Sequence, residues 1–287
     1  MVGEQNYQEG LVVPKKILIV LSEFGYWGEE LVGPAEVFDS AGYELTFATP
    51  TGKRPIALPP SLDENFVDPP LGRAVTTAEM AAKAKEWNNS PRLDNPVSLH
   101  RLIPERPYLS DVNYLRALER YNQDLATAVA ALVSGYDGLL IVGGSGPIVD
   151  LANNERLHAL ILGFVADGKV IAAECYGVTC LAFARDWGTR RSILEGKHVT
   201  GHPKEYDYKD GTGFVGTDLN MGPPPYPLEY ILRDATGPAG GFHGNVGRRL
   251  SALVDYPFVT GRSTPDSQLT GQLVVEVLEH GLRRYGW

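Results

Sequence analysis

Hydrophobic positions follow two different periods along this chain. Short apolar runs at 16–21, 137–142, 169–173 and 258–261 are typical of parallel strands covered on both faces, and 43–49 alternates as a further strand. Between the runs, apolar residues recur at spacings of three and four, which predicts amphipathic helices. These helical faces lie at about 31–41, 115–132, 157–165 and 265–284. Alternating strands and helices predict a doubly wound, mostly parallel α/β sheet with helices on both faces, a flavodoxin-like sandwich.

Prolines crowd one segment of the chain and interrupt this pattern. Between residues 50 and 112 they break every long element except one short helix, at about 77–87. Long irregular segments of this kind are usually functional or inserted. We therefore expect a single α/β domain over 1–287 with a loop-rich insertion or cap at about 50–112. A linker is the alternative interpretation of this segment.

Composition excludes several classes of protein. Apolar residues make up 43% and charged residues 21%, which is typical of a globular chain. A net charge of −9 disfavours nucleic acid as a partner. Two cysteines are too few for a disulfide scaffold or a thiolate zinc site. Residues 1–14 lack the features of a signal peptide, and no apolar run approaches the ~18 residues of a membrane span. We expect a cytoplasmic protein without a membrane partner.

One strand leads into a turn that can carry a nucleophile. The apolar strand 170–173 runs into Glu174-Cys175-Tyr176-Gly177, and a helix follows. Such a turn exposes its central residue at the carboxyl edge of the sheet, where helix-terminal N–H groups stabilise a thiolate. Cys175 is the candidate nucleophile. The backbone N–H groups of Tyr176, Gly144 and Ser145 are candidates for an oxyanion hole. The alternative is that Cys175 is a buried small apolar residue.

Several motifs together resemble a known family. Gly143-Gly-Ser-Gly with Asp150-Leu, Ala173-Glu-Cys-Tyr-Gly, Glu30-Leu-Val-Gly-Pro and the strand and turn at 259–267 resemble the ThiJ/PfpI family of the class I glutamine amidotransferase-like superfamily. The branch they resemble contains heat-shock chaperones and glyoxalase III enzymes. The resemblance covers about 15–60 and 135–285. It implies that an acid from the first helix reaches the nucleophile, with Glu30 in the matching position and Glu29 beside it. It also implies a homodimer.

Two departures from the family pattern concern the base that would assist the cysteine. Tyr176 follows the nucleophile where related chaperone-type members carry histidine, and Ser145 stands where they often carry another. A base must therefore come from elsewhere or be dispensable, and His202 and His243 lie in loops after the elbow. The glycine-rich setting of His243 allows close approach and favours it as the catalytic histidine. An ordinary loop histidine is the simpler interpretation of each taken alone.

The remaining motifs give no reason to expect a metal or a cofactor. His198 and His202 are four residues apart, but the sequence between them is not helical, so the spacing loses its meaning for a metal site. Gly143-Gly-Ser-Gly lacks the spaced third glycine of a dinucleotide-binding turn. We expect no metal and no cofactor.

These residues favour a cysteine-dependent enzyme acting on a small carbonyl, amide or nitrile-like carbon. Cys175 would attack, backbone amides would stabilise the oxyanion, and Glu30 would move protons. The missing family histidine favours a hydrolase. A glyoxalase III-like hydration of a 2-oxoaldehyde is one alternative, and a stress chaperone with a redox-sensing cysteine is another. Tyr26, Trp27, His202 and Tyr226 are candidates to line a small-molecule pocket, with core packing as the alternative.

Overall fold

The computed structural model describes residues 13–68, 71–108, 112–209, 212–213, 227–249 and 251–287. Its strands are β1 Lys16–Val20, β2 Glu44–Thr49, β3 Val67–Asp68, β4 Arg73–Ala74, β5 Val97–Ser98, β6 Gly138–Ile141, β7 Val170–Glu174, β8 His198–Val199, β9 Tyr208–Lys209, β10 Thr212–Gly213, β11 Gly241–Phe242, β12 Ala252–Asp255, β13 Phe258–Gly261 and β14 Arg284–Tyr285.

The helices lie between these strands. They are α1 Gly28–Ser40, α2 Ala78–Asn88, α3 Leu99–Leu102, α4 Tyr114–Ser134, α5 Pro147–Asp150, α6 Glu155–Ala166, α7 Val178–Phe183, α8 Lys204–Asp207, α9 Leu228–Thr236 and α10 Ser267–His280. Single 3₁₀ turns lie at Pro59–Leu62, Pro91–Leu93, Cys175–Gly177 and Thr264–Asp266. Each long helix that the periodicity predicts is present, with ends within a few residues of the expected ones.

Eight strands form one sheet in the order β14-β12-β13-β7-β6-β1-β2-β5. The six strands from β13 to β5 pair in parallel, whereas β12 pairs antiparallel with both β13 and β14. The predicted doubly wound, mostly parallel α/β fold is confirmed. Because parallel strands end at one edge of a sheet, the turns after β1, β6, β7 and β13 meet there.

Alternate residues of the strands enter two separate cores. Leu18 and Val20 of β1 pack in the cluster that contains Phe164 of α6, whereas Ile17 and Ile19 pack with Phe38 of α1. All of these side chains are at most 1% exposed. Helices therefore cover both faces of the sheet, which is why its central strands β1 and β6 consist mainly of apolar residues.

The proline-rich segment is joined to the sheet and to α1. Its strand β5 pairs with the end of β2, where Ala48 lies opposite Val97. Thr77 caps α2 by accepting a hydrogen bond from the Met80 N–H. A Cβ at Gly28 would lie 2.6 Å from Cβ of Ala84, so α2 packs directly on the first turn of α1. This packing fixes the helix end that carries Glu30.

In the part of the chain that the structure describes, none of the helices combines the length and the apolar character needed to cross a membrane.

Candidate functional site

Cys175 occupies a strained turn between β7 and α7. Its φ angle is 50°, in the left-handed region that residues other than glycine rarely adopt. One 3₁₀ turn, Cys175–Gly177, connects the strand to the helix. A Cβ at Gly177 would lie 2.8 Å from the Ile141 carbonyl oxygen, so only glycine allows the turn to sit this close to β6. This is the strand–turn–helix geometry of a nucleophile elbow, where strain holds the reactive side chain at the edge of the sheet.

A glycine turn after β6 makes room for the acid. A Cβ at Gly143 would overlap Oε2 of Glu30 and would lie 2.7 Å from Cβ of Cys175. Gly144 adopts a φ of 93°, and a Cβ there would lie 2.6 Å from the Trp27 nitrogen. The two glycines therefore let the first turn of α1 approach the elbow.

Glu30 lies in the first turn of α1 and reaches the nucleophile. Its side chain is 1% exposed, and its carboxyl is hydrogen-bonded to the Cys175 thiol and to the Gly144 N–H. The Thr264 hydroxyl donates to Oε1 at 3.4 Å. Burial raises the pKa of Glu30 to about 8, against the lowering effect of these hydrogen bonds. Glu30 is therefore mostly protonated at neutral pH. Glu29, the neighbouring candidate, has a pKa raised to about 7 by burial and by Asp266.

His202 is the histidine that contacts the sulfur. Its Nδ1 lies 3.3 Å from Sγ of Cys175. The imidazole stacks on the Tyr176 ring at a centroid distance of 4.5 Å and meets Tyr206 edge-on at 5.6 Å. Burial, and then the positive charge of Arg262, lowers the pKa of His202 to about 3. The imidazole is therefore neutral at physiological pH, and a neutral imidazole carries one ring nitrogen that accepts a hydrogen bond.

The structure places His243 against another histidine, His198. Nε2 of His243 lies 2.9 Å from Nδ1 of His198, which itself stacks on Trp287. The cause is the short parallel pairing of β8 with β11, which sets His198 opposite Gly241 and carries His243 to the same place. The Gly-rich setting does allow a close approach, but to His198 and not to Cys175. His202, the other loop histidine considered as a base and a candidate to line the pocket, lies beside the sulfur.

Three aromatic residues were candidates for the pocket, and their outcomes differ. Tyr26 is 1% exposed, and its hydroxyl lies 3.4 Å from Oδ1 of Asn88. It therefore packs in the core beside α2. Trp27 precedes α1, and its backbone N–H donates to the Gly143 carbonyl at 3.2 Å, so Trp27 borders the glycine turn. Tyr226 lies outside the described residues.

The oxyanion-hole candidates lie near the elbow. The N–H of Gly144 is hydrogen-bonded to the Glu30 carboxyl, so it supports the acid directly. Ser145 and Tyr176 are each less than 10% exposed, and they stand in the two turns that meet at Cys175. A developing negative charge at the elbow would meet the N–H groups of these turns and the protonated Glu30.

Sequence reasoning missed four polar residues around the acid and the base. Glu174, directly before the nucleophile, is fully buried, and burial and then the Glu30 carboxyl raise its pKa well above the ordinary value. Thr264, Arg262 and Asp266 follow β13 at the same edge of the sheet. The signal available was topological: β13 pairs with β7, so the residues after Gly261 lie next to the elbow.

Among the described residues, no cluster of three or more histidine, cysteine, aspartate or glutamate side chains is arranged to hold a metal ion. The acid, the base and the thiol around Cys175 thus form a site that suits nucleophilic and acid–base chemistry.

Comparison with known proteins agrees with the fold and with the family resemblance. A family model described as ThiJ/PfpI family-like matches residues 21–200, well over half of the chain, so the chain belongs to this family. The resemblance inferred from the motifs is confirmed. Two curated relatives, the probable glutathione-independent glyoxalases SNO4 and HSP32 of Saccharomyces cerevisiae, are each 31% identical over 97 residues. That match spans 33% of this chain and 41% of either relative.

Solved structures extend the likeness over nearly the whole fold. One crystal structure of a protein 25% identical to this chain gives a TM-score of 0.65 and covers 94% of this chain and all of the other. Glyoxalase III from Candida albicans gives a TM-score of 0.57 at 18% identity, covering 93% of this chain and 98% of that one. At that identity the second match speaks for the fold alone.

Proposed function

We propose that this protein is a cysteine-dependent, glyoxalase III-like enzyme that converts a small 2-oxoaldehyde and water into a 2-hydroxy acid. One observation carries the proposal: Nδ1 of His202 lies 3.3 Å from Sγ of Cys175, and the Glu30 carboxyl is a hydrogen-bond partner of the same thiol. Two titratable groups with pKa values pushed far apart are the usual sign of a base and an acid. The names of the yeast relatives support the choice of substrate class.

The first step is addition of the thiol to the aldehyde. His202 Nδ1, 3.3 Å from the sulfur, takes the thiol proton as the S–C bond forms. Glu30 donates a proton to the oxygen that gains charge, giving a hemithioacetal. A carboxylic acid that is still protonated at pH 7 suits this role, because an ionised carboxylate would repel the developing oxyanion.

An internal proton transfer then exchanges the oxidation levels of the two carbons. A base removes the C1 hydrogen as a proton, the electron pair moves into the C1–C2 bond, and the C2 carbonyl oxygen takes up a proton. Protonation at C2 with loss of the C1 hydroxyl proton gives a thioester of a 2-hydroxy acid. Water attacks the thioester, the S–C bond breaks, and the thiol is restored. C1 is oxidised and C2 reduced, so no external oxidant is needed.

Hydrolysis of an amide was the first expectation from the sequence, because the family histidine is missing after Cys175. His202 fills that gap in space, and this removes the reason for preferring a hydrolase. The Gly144 N–H, one of the expected oxyanion donors, supports Glu30. These two contacts favour the 2-oxoaldehyde over the amide.

A substrate panel decides between the candidate functions. The wild-type protein is incubated without glutathione with methylglyoxal, with a panel of small amides and nitriles, and with an aggregating client protein. Formation of lactate from methylglyoxal is the expected result. Release of ammonia from an amide or nitrile would establish a hydrolase instead. Suppression of aggregation without turnover of any compound would establish the chaperone.

A further inference from the structure

Arg262 is a buried cation that the proposed chemistry does not use. It follows β13 and is 1% exposed, which is rare for a charged side chain. Its Nε lies 3.2 Å from Oδ2 of Asp266, which is itself fully buried. A buried arginine has a large desolvation cost, so its position requires compensating contacts on every side.

The guanidinium binds a loop of the chain through its backbone. Nη1 donates to the Asn245 carbonyl at 2.7 Å, and Nη2 donates to the carbonyls of Arg248 and Arg249 at 3.1 and 3.2 Å. The planar fork of arginine suits several acceptors at fixed angles. Asn245 adopts a φ of 48°, a strained conformation that these contacts help to hold. Arg262 thus fixes the path of residues 245–249.

The same loop is connected to the segment that carries His202. The Thr200 hydroxyl donates to the His243 carbonyl at 2.7 Å. Thr200 lies two residues before His202, and His243 lies two residues before Asn245, so this hydrogen bond joins the two segments. On the other side, the Arg262 guanidinium lies 5.8 Å from the centre of the Tyr206 ring, and that ring meets the His202 imidazole. Arg262 therefore supports His202 through a loop on one side and through an aromatic ring on the other.

We propose that Arg262 is a positioning residue for the pair of His202 and Cys175: its guanidinium holds Tyr206 and the 245–249 loop around the imidazole and places a permanent positive charge beside it. The inference rests on the proposed function, because it assigns His202 the role of a neutral base. The charge disfavours protonation of His202, which agrees with its lowered pKa.

Other charged groups near His202 do not offer the same effect. Cys175 and Tyr176 face it from the elbow and Tyr206 from its own segment. Glu30, Glu29 and Glu174 are the nearby acids; burial raises the pKa of each, Glu29 adds to the rise at Glu30, and Glu30 adds to the rise at Glu174. Asp266 faces Arg262 and offsets part of its charge. Arg262 is the one charge identified as lowering the pKa of His202.

Two substitutions separate charge from geometry. Arg262→Gln removes the charge, and Arg262→Lys keeps it but loses the fork. In Arg262→Gln we expect the imidazole of His202, followed by NMR with labelled histidine, to take up its proton at a higher pH than in the wild type. In Arg262→Lys we expect the His202 imidazole to take up its proton at the same low pH as in the wild type. In the same variant we expect kcat to fall by about tenfold or more, with a smaller change in KM. Arg92→Gln, a change at an exposed arginine paired with Asp39, should alter neither.

The His202 titration does not depend on turnover, so it tests the inference even if methylglyoxal is not the substrate. An unchanged titration in a folded Arg262→Gln protein would overturn the electrostatic role. Wild-type kcat in Arg262→Lys would overturn the positioning role. If Arg262→Gln does not fold, Arg262→Lys decides through its kcat and titration together.

Discussion

At the scale of single residues, burial separates the ionisation of two side chains that contact the same sulfur. Glu30 loses contact with water and keeps its proton, with a pKa of about 8. His202 is also enclosed, and its pKa falls to about 3. The charged form is the one that burial disfavours in both cases. Between these two values the site holds an acid and a base at once, without either group being ionised.

The pH dependence of turnover follows from this arrangement. We expect kcat/KM to fall as the pH rises through about 8, because Glu30 then ionises and can no longer donate. Glu30→Gln cannot ionise, so this basic limb should disappear while the rate at pH 7 falls by about 10²-fold. Steady-state kinetics with methylglyoxal from pH 5 to 9 measure both. A basic limb that persists in Glu30→Gln would assign it to another group.

The two loop histidines give a matched pair of variants. We expect His202→Gln to reduce kcat/KM by about 10²-fold or more, because the base beside Cys175 is lost. His243→Gln should stay within a few-fold of the wild type, because that ring contacts His198. Equal losses in the two variants, measured on proteins with the same melting temperature, would contradict the assignment of His202.

The motifs predicted that Glu30 approaches Cys175, but they did not predict that His202, and not His243, lies beside the sulfur. Cys175 and Glu30 belong to motifs with a fixed place in the fold, a strand end and a helix start. His202 and His243 lie in loops, whose paths depend on the two-residue pairing of β8 with β11. A pairing that short leaves no period in the sequence, so it was not predictable. The packing of Tyr26 was not predictable either, since nothing local shows that its ring points towards Asn88.

At the scale of elements, the crossing of α1 and α10 sets the position of Glu30. A Cβ at Gly271 would lie 2.7 Å from Cα of Pro34, and a Cβ at Gly33 would lie 2.7 Å from Cβ of Ser267. The helices therefore touch through small residues. Pro34 lies inside an unbroken helix and forms part of this contact. The periodicity predicted both helices but not their crossing.

Enlarging this contact should disturb the site from a distance. We expect Gly271→Ala to lower the free energy of unfolding by about 1–3 kcal/mol, because the added methyl group overlaps Pro34. Activity should fall as well, since α1 carries Glu30. Gln272→Ala, an exposed neighbour on the same helix, is the control and should change neither. Urea unfolding measures the stability and steady-state kinetics measure kcat/KM. Identical stabilities for Gly271→Ala and Gln272→Ala would show that α1 and α10 can move apart without cost.

At the scale of the whole molecule, the buried acids make stability depend on pH. The ordinary pKa of glutamic acid is 4.5, and that of Glu30 in the fold is about 8. Between these values the folded state binds a proton that the unfolded state has lost, so stability falls as the pH rises. His202 has the opposite effect on stability, because burial lowers its pKa from the ordinary value of 6.5 to about 3. Its contribution therefore varies with pH only below about pH 6.5.

The interval from pH 6.5 to 8 therefore isolates the acids. We expect the free energy of unfolding to decline across it, with Glu30 contributing up to about 1.4 kcal/mol per pH unit. Glu30→Gln should make the decline shallower, because its amide carries no proton to lose. Urea titrations at three pH values give the slopes. The same slope in both proteins would mean that Glu30 is already ionised in the folded state.

The overall architecture was the most predictable level of the molecule. Strand and helix periods, together with the elbow motif, are enough to predict the sheet, its long helices and the family resemblance. The short strand β5 was not predicted, since two residues, Val97 and Ser98, show no alternation. Arg262 and Asp266 were not predicted as partners either, because their pairing depends on burial by other elements.

The most direct test of the proposed function is the fate of methylglyoxal in the absence of any added thiol. Proton NMR follows lactate formation by the wild-type protein, by Cys175→Ser and by Cys180→Ala, whose side chain is buried in the core. Lactate formed by the wild type and by Cys180→Ala, with none above background from Cys175→Ser, is the expected result. Undiminished lactate formation by Cys175→Ser would contradict the assignment of Cys175 as the nucleophile.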